Sequence, residues 1–284
     1  MRLFLIPLLL SSVLASGACS EAQEYEAKVG LEEGAGSTTD RPVADAANDT
    51  DAEPGAVELQ NERAEFSHTW PAAANAIPKL AARFESEAQT ALGEAQAMAA
   101  EDQAAARGEG WEFRPHAAEK EWETVADITD WLSLSALIYS YTGGAHPNYG
   151  YDSLVWDKRA DTARAPLDLF RSAAAFKTAL WGRFCDALDA ERATRRGEAV
   201  DPQSDNAFNT CPEPREVTVL LGSSNTQTFD RIGILIGPYV AGPYAEGSYE
   251  FTFPVDSAVI DAVHPDYVEA FSRAPQKQAR ISGD

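Results

Sequence analysis

The clearest pattern along the chain is a helical one over residues 77–107. Apolar residues recur there at three- and four-residue steps among Ala, Glu, Gln and Arg, which is typical of an amphipathic helix that packs one face on a core. A second stretch, residues 167–188, is rich in Ala and Phe and predicts another helix. We therefore expect a long N-terminal helix and a second, central helix.

Alternating apolar and polar residues indicate half-buried strands elsewhere. The predicted strands cover residues 66–71, 111–115, 121–125, 132–141, 149–156, 216–221, 229–236 and 249–255. The tryptophans in these elements are expected in the core: Trp111, Trp122, Trp131, Trp156 and Trp181. Residues 256–271 predict a short helix and tail. The fold class is α+β, with antiparallel sheets on which both helices pack.

Charge is unevenly distributed along the chain, whose net charge is −22. Acidic residues concentrate before residue 66 with almost no aromatics, and such a composition cannot bury enough surface to offset chain entropy. It predicts a disordered acidic tether over residues 19–65. The negative charge argues against nucleic acid as a partner, because nucleic-acid-binding proteins carry basic patches. It favours cationic partners instead.

The N-terminus has the features of an export signal. An arginine, an apolar run over residues 3–14 and small residues predict a secretory signal peptide over residues 1–18. The run is shorter than the roughly 20 residues that span a bilayer. Because Cys19 follows small residues, as in a lipobox, we expect it to be lipidated; ordinary cleavage that releases a soluble protein is the alternative. The expected location is the periplasm, with the lipid in the outer or inner membrane.

The two remaining cysteines predict a disulfide. Cys185 and Cys211 form an even pair in an oxidising compartment, where disulfides persist. Their bond would close a loop of about 25 residues and stabilise the fold by roughly 3 kcal/mol. A catalytic or metal-binding thiol is the alternative, although no CxxC spacing supports it.

Two loop segments have unusual compositions. Residues 141–148 combine two glycines with His146 and a following proline, which favours a tight, shaped connection. Residues 237–247 interleave glycine, proline and tyrosine, so a stiff loop there can present Tyr239, Pro243 and Tyr244 at low entropy cost. These three residues and His146 are the candidate binding residues. The alternative is that the tyrosines pack beneath a sheet edge.

Catalytic and metal chemistry have weaker support in the sequence. His146 could act as a general base with Asp152, although a lone histidine before proline more often fixes its loop by a hydrogen bond. The other histidines, His68, His116 and His264, lack the spacing of a zinc site. We therefore predict no catalytic residue, no metal and no cofactor, with a carbohydrate-modifying enzyme that uses His146 and Asp152 as the alternative.

The segments TGGAH, at residues 142–146, and PYVAGPYAEG, at residues 238–247, together resemble a known module. They are similar to the C-terminal domain of RsiV-type anti-sigma factors, which also precedes the catalytic domain of PdaC-type peptidoglycan deacetylases, together with a smaller N-terminal partner. By this resemblance, residues 66–160 are the PdaC-like lobe with the first strands, residues 161–275 the RsiV-like lobe and residues 276–284 a tail. We expect neither a sigma-factor switch nor deacetylase activity, because no segment of the given sequence resembles the anti-sigma part or the catalytic domain.

The resemblance implies a function without catalysis. In the RsiV type the module is an extracytoplasmic sensor that binds lysozyme, and in the PdaC type it accompanies deacetylation without performing it. The expectation is a stand-alone envelope lipoprotein whose partner is a protein such as lysozyme, or peptidoglycan. Its membrane contact would be through the N-terminal lipid.

Overall fold

The computed structural model describes residues 52–201 and 204–275, all of them within one compact unit, Pro42–Asp284. The predicted signal peptide, the lipidation at Cys19, most of the tether and the tail at residues 276–284 lie outside the described residues. Within this part of the chain, no helix is long and apolar enough to cross a membrane.

The described residues form two sheets. The strands are β1 (Gly55–Gln60), β2 (Ala64–Trp70), β3 (His116–Ile128), β4 (Trp131–Tyr141), β5 (Asn148–Asp157), β6 (Thr162–Arg164), β7 (Thr218–Gly222), β8 (Arg231–Ile236) and β9 (Tyr249–Pro254). The first six strands make one sheet in chain order, and β7, β8 and β9 make a second sheet. The α+β class is confirmed.

One pair of strands differs from the predicted antiparallel arrangement. Strands β2 and β3 are parallel, whereas every other neighbouring pair of strands in the two sheets is antiparallel. A long helical connection separates β2 from β3, and such a crossover returns the chain so that the next strand runs in the same direction. The prediction of purely antiparallel sheets is therefore wrong at this pair.

The helices begin and end at recognisable residues. They are α1 (Ala72–Asn75), α2 (Pro78–Glu109), α3 (Ala173–Arg196) and α4 (Ser257–Ala262). Short 3₁₀ segments also occur, among them Pro166–Leu169 before α3 and Tyr244–Glu246 between β8 and β9. Pro78 opens α2, and Gly110 ends it with a left-handed φ of 78°. The Ser172 hydroxyl caps α3 by accepting a hydrogen bond from the Ala175 N–H at 3.0 Å.

Each sheet has its own core, and the two cores define two lobes. In the first lobe, α2 covers one face of the six-stranded sheet, with Phe84 stacked on Trp122 at a ring-centroid distance of 4.9 Å. In the second lobe, α3 and α4 pack with the three-stranded sheet around Phe184. Residues on the other face of the first sheet, including Trp131 and Val155, join that second core.

The structure corrects several predictions. Strand β1 lies in the segment predicted as tether, so disorder is the wrong prediction from residue 55 onward, because Val57 and Leu59 pack on the first core. Residues 111–115 are a loop rather than a strand, and Trp111 is exposed. The second helix starts later than predicted, since a separate 3₁₀ segment precedes Ser172.

The predicted disulfide is confirmed. Cys185 on α3 is bonded to Cys211, 26 residues later, and both side chains pack against the second core. The bond attaches the long segment after α3 to the helix itself.

Candidate functional site

The Gly-Pro-Tyr segment, residues 237–247, is a tight loop between β8 and β9. A Cβ atom on Gly242 would lie 2.2 Å from Glu246 Oε2, so any larger residue there would displace the Glu246 carboxylate. Gly247 has φ 70° and ψ −155°, a conformation that is essentially restricted to glycine. Tyr239 itself has a positive φ of 69°, and its N–H donates to the Gly242 carbonyl at 2.9 Å. The loop therefore has one defined shape.

Arg192 on α3 anchors this loop to the interior. Its side chain is fully buried, and its Nε donates to the Ala241 carbonyl at 2.9 Å. Its Nη2 donates to the Thr210 carbonyl at 3.0 Å, and its Nη1 pairs with Asp189 at 2.9 Å. One buried guanidinium thus joins α3, the loop and the segment next to the disulfide.

Two more arginines at the end of α3 fix the far side of the loop. Arg195 Nη1 donates to the carbonyls of Glu246 and Ser248, at 2.6 and 2.7 Å. Arg196 makes a two-pronged contact with the Glu246 carboxylate, at 2.8 and 3.0 Å, and the Tyr249 hydroxyl donates to the same carboxylate. Glu246 is therefore an anchor of the loop.

The electrostatics agree with that role. Burial alone would raise the pKa of Glu246, but hydrogen bonds from Arg196 and Tyr249 and the nearby arginine charges lower it overall. Burial, followed by the Glu246 hydrogen bond and charge, raises the pKa of Tyr249 to about 12. Glu246 is thus a carboxylate and Tyr249 a neutral phenol at neutral pH.

The second loop segment, residues 141–148, meets the first. The His146 ring stacks on Tyr244 with a centroid distance of 4.0 Å and an interplanar angle of 25°. The Tyr239 hydroxyl lies 3.3 Å from His146 Nε2, and Tyr149 meets Tyr244 edge-on at 5.9 Å. His146, Tyr149, Tyr239 and Tyr244 form what we call the aromatic cluster. Tyr149 was not among the residues predicted from the sequence.

The cluster is partly open to solvent. Tyr239 has 52% of its surface exposed, Pro243 is exposed, and His146 and Tyr244 are half-buried. Rings held in this way offer contact area without further loss of conformational freedom. The sequence left open whether the tyrosines of this loop are exposed or packed, and the structure shows one of each. Tyr244 packs between its neighbours, whereas Tyr239 projects outward.

The structure does not pair His146 with Asp152. His146 Nδ1 is 2.8 Å from the Pro147 carbonyl, and its Nε2 faces Tyr239. Asp152 instead forms an ion pair with Lys120 at 2.8 Å. Both side chains thus have other partners, and their geometry provides no acid–base pair.

The remaining histidines are also apart from one another. His68 lies in the first core, His116 pairs with Asp102 at 3.1 Å, and His264 accepts from the Asp266 N–H at 3.3 Å. Among residues 52–201 and 204–275, no group of three or more His, Cys, Asp or Glu side chains is placed to hold a metal ion.

Two solved structures resemble this fold. One is a DUF3298 family protein from Pseudomonas aeruginosa, with 16% identity, a TM-score of 0.46 and coverage of 78% of this chain and 98% of that one. The other is a DUF3298 member from Bacteroides fragilis, with 14% identity, a TM-score of 0.40 and coverage of 72% and 90%. No curated protein matches the chain.

The sequence family described as "Deacetylase PdaC" matches residues 57–149. The match starts within β1, includes β2 to β4, His146 and Tyr149, and ends before the Gly-Pro-Tyr loop. It confirms the PdaC-type resemblance for this segment, while the RsiV-type resemblance of the second lobe stays a prediction. Over residues 57–149 the chain is therefore similar to the PdaC family.

Proposed function

We propose that this protein is a non-enzymatic binding module of the cell envelope, which engages a protein such as lysozyme, or peptidoglycan, through the aromatic cluster. The observation that carries the proposal is the convergence of two loops, far apart in sequence, into one stacked, half-exposed group of rings. Aromatic rings in a stiff loop are typical contact residues in protein recognition.

The contacts at the cluster favour binding over catalysis. A general base needs a lone pair directed at substrate, whereas both ring nitrogens of His146 contact neighbouring protein groups. Glu246 is occupied by Arg196 and Tyr249, and its lowered pKa is unsuited to an acid catalyst at neutral pH. The cluster is therefore better suited to contact a ligand than to transform one.

The proposed location is the periplasm, with Cys19 acylated and the folded domain carried on the acidic N-terminal segment. The support is the sequence of the first nineteen residues. Cys19→Ser should move the protein from the membrane fraction to the soluble fraction after cell lysis. Unchanged membrane association would contradict lipidation at this residue.

The test of binding compares Tyr239→Ala with Met98→Ala. Tyr239 and Met98 are similarly exposed, at 52% and 51%, but Met98 lies on α2, away from the cluster. We expect Tyr239→Ala to weaken binding of lysozyme or of purified peptidoglycan by about 2 kcal/mol, as for an interface hot spot, with little change in melting temperature. Met98→Ala should change neither quantity.

Tyr244→Ala separates the two roles of the rings. Because Tyr244 contacts His146, Tyr149 and Tyr239, its removal should lower both affinity and melting temperature. A loss of stability with unchanged affinity per folded molecule, in this variant and in Tyr239→Ala, would show that the cluster is structural and would reject the proposal.

A further inference from the structure

One face of the six-stranded sheet is open along β1 to β4. Helix α2 covers the opposite face, which carries Phe66 and Trp122. The second lobe covers this face near Ser133 and Val155, both buried, and along β5, where the Tyr151 hydroxyl donates to Ser248 Oγ at 2.8 Å. Strand register places the following side chains on the uncovered part: Glu58, Glu65, Ser67, Thr69, Glu119, Glu121, Glu123, Leu137, Tyr139 and Tyr141. We call these residues the open face.

The open face is acidic and lacks basic strand residues. All five of its glutamates are exposed, and no lysine or arginine occupies this face of β1 to β5. In the described part of the chain, none of these carboxylates forms an ion pair. Burial, followed by the charges of Glu65 and Glu121, raises the pKa of Glu119. The free protein therefore carries unrelieved repulsion between like charges.

An apolar strip connects the glutamates to the aromatic cluster. Leu137 is 43% exposed and stands opposite Glu121 in the pairing of β3 and β4. Tyr139 stands opposite Glu119 on one side and opposite Tyr149, a member of the cluster, on the other. Carboxylates, aliphatic surface and aromatic rings thus form one continuous surface. Arg114 reaches the Tyr141 hydroxyl at the end of this surface, at 3.4 Å.

We propose that the open face is a docking surface for a basic protein, one whose contact surface presents lysine and arginine side chains. The proposal rests on the proposed function and specifies its partner. Cationic head groups would pair with the glutamates, while their aliphatic stems cover Leu137 and Tyr139. The net charge of −22 would also accelerate encounter with such a partner.

Charge decides between the occupants that this surface could accept. A second copy of the chain would bring the same five glutamates to the contact and be repelled. Uncharged glycan can donate hydroxyl hydrogen bonds to carboxylates, but it brings no positive charge to relieve their mutual repulsion. A basic protein removes the repulsion and covers the apolar strip in one step, so it is the occupant that the surface fits.

The experiment uses two triple variants with the same change in net charge. Glu65→Gln, Glu119→Gln and Glu121→Gln together neutralise the open face. Glu94→Gln, Glu101→Gln and Glu109→Gln neutralise three exposed α2 glutamates that have no ion-pair partner in the described residues. Lysozyme serves as a folded basic probe and an oligolysine peptide as an unfolded one. Affinities are measured by calorimetry at low and physiological salt.

We expect the open-face triple to lose about tenfold or more in lysozyme affinity at low salt, with the difference shrinking as salt rises. The α2 triple should lose about twofold, as a net-charge effect only. Folding should be preserved, because Glu→Gln removes repulsion. Equal losses in both triples, or no binding of either probe by the unmodified protein, would overturn the proposal.

The two proposals fail in different ways. If the open-face triple weakens lysozyme binding but Tyr239→Ala weakens neither lysozyme nor peptidoglycan binding, the open face stands and the aromatic cluster is not the contact. If Tyr239→Ala weakens binding and the open-face triple does not, the cluster stands and the open face is rejected.

Discussion

The two lobes bury a basic side chain in opposite ways. In the first lobe, His68 is 2% exposed, and neither ring nitrogen has a hydrogen-bond partner in the described residues; it lies edge-on to Trp70 at 5.9 Å. In the second lobe, Arg192 is fully buried, yet it donates to backbone carbonyls, among them those of Ala241 and Thr210. The His68 imidazole packs against aromatic rings without a hydrogen bond, whereas the Arg192 guanidinium is surrounded by hydrogen-bond acceptors.

This difference shows what holds each lobe together. Around His68 the helix packs on the sheet through aromatic and aliphatic side chains, and the imidazole is a polar group buried at a cost. Around Arg192 the loops have little regular structure of their own, and the guanidinium and the disulfide attach them to α3. The first lobe should therefore tolerate loss of its buried polar group, whereas the second should not.

The largest effect is expected from Arg192→Met. The substitution keeps an unbranched, apolar side chain but leaves the carbonyls of Ala241 and Thr210 without this donor in the interior. Because each buried acceptor left unsatisfied costs about 1 to 3 kcal/mol, the substitution should lower the free energy of unfolding by about 3 to 5 kcal/mol. Denaturant unfolding measures it.

Arg195→Met is the matched control for that variant. Arg195 leaves the same helix one turn later and also donates to carbonyls, but 29% of its side chain is exposed. Because water can replace its hydrogen bonds, we expect a loss nearer to about 1 kcal/mol. Equal losses in the two variants would show that burial of Arg192 is not what makes it important.

Removal of the disulfide should have the next largest effect. The Cys185→Ser, Cys211→Ser double variant lacks the cross-link between two residues 26 positions apart, so its unfolded chain gains conformational entropy. It should lose about 3 kcal/mol of stability. The loss should match that caused by reducing the unmodified protein. If reduction leaves stability unchanged, hydrogen bonds such as those of Arg192 hold the loops without help from the disulfide.

Much of the fold follows from local patterns in the sequence. Helix α2 and strand β4 are predicted because periodicity reflects which side of an element is buried. Strand β1 is missed because its two core residues, Val57 and Leu59, lie among acidic neighbours that outweigh them in composition. The parallel pairing of β2 with β3 depends on the direction in which α2 returns the chain, and the pattern of a single segment cannot predict that direction.

The candidate site was only partly visible in the sequence. Composition points to each loop separately, but it cannot show that His146 stacks on Tyr244, because that contact depends on how the two lobes pack. Arg192 was missed because an arginine in a helix is usually exposed. A signal for it exists: Arg192 follows Phe184 and Leu188 at four-residue steps, on the buried face of α3.

The smallest effect, and the one that tests the first lobe, is the pH dependence caused by His68. Burial, followed by the nearby charge of Lys120, lowers the pKa of His68 below its ordinary value of 6.5, while Glu87 opposes this. The unfolded chain therefore binds more protons than the folded chain below pH 6.5. The contribution of neutral His68 to the free energy of unfolding is therefore complete above pH 6.5. It is lost as the pH falls, by at most about 1.4 kcal/mol per pH unit.

His68→Phe should remove this dependence. Phenylalanine keeps a ring against Trp70 and Phe84 but cannot be protonated. Between neutral and mildly acidic pH, the unfolding free energy of the variant should therefore fall less than that of the unmodified protein. At neutral pH the change should be within about 1 kcal/mol, because a buried unpaired polar group is exchanged for apolar packing at the cost of a larger ring. The other titrating groups, including Lys120 and Glu87, are present in both proteins. The difference between the two pH profiles therefore reports the effect of His68. Parallel profiles would mean that His68 is hydrated or partnered in solution, and the contrast with Arg192 would then no longer hold.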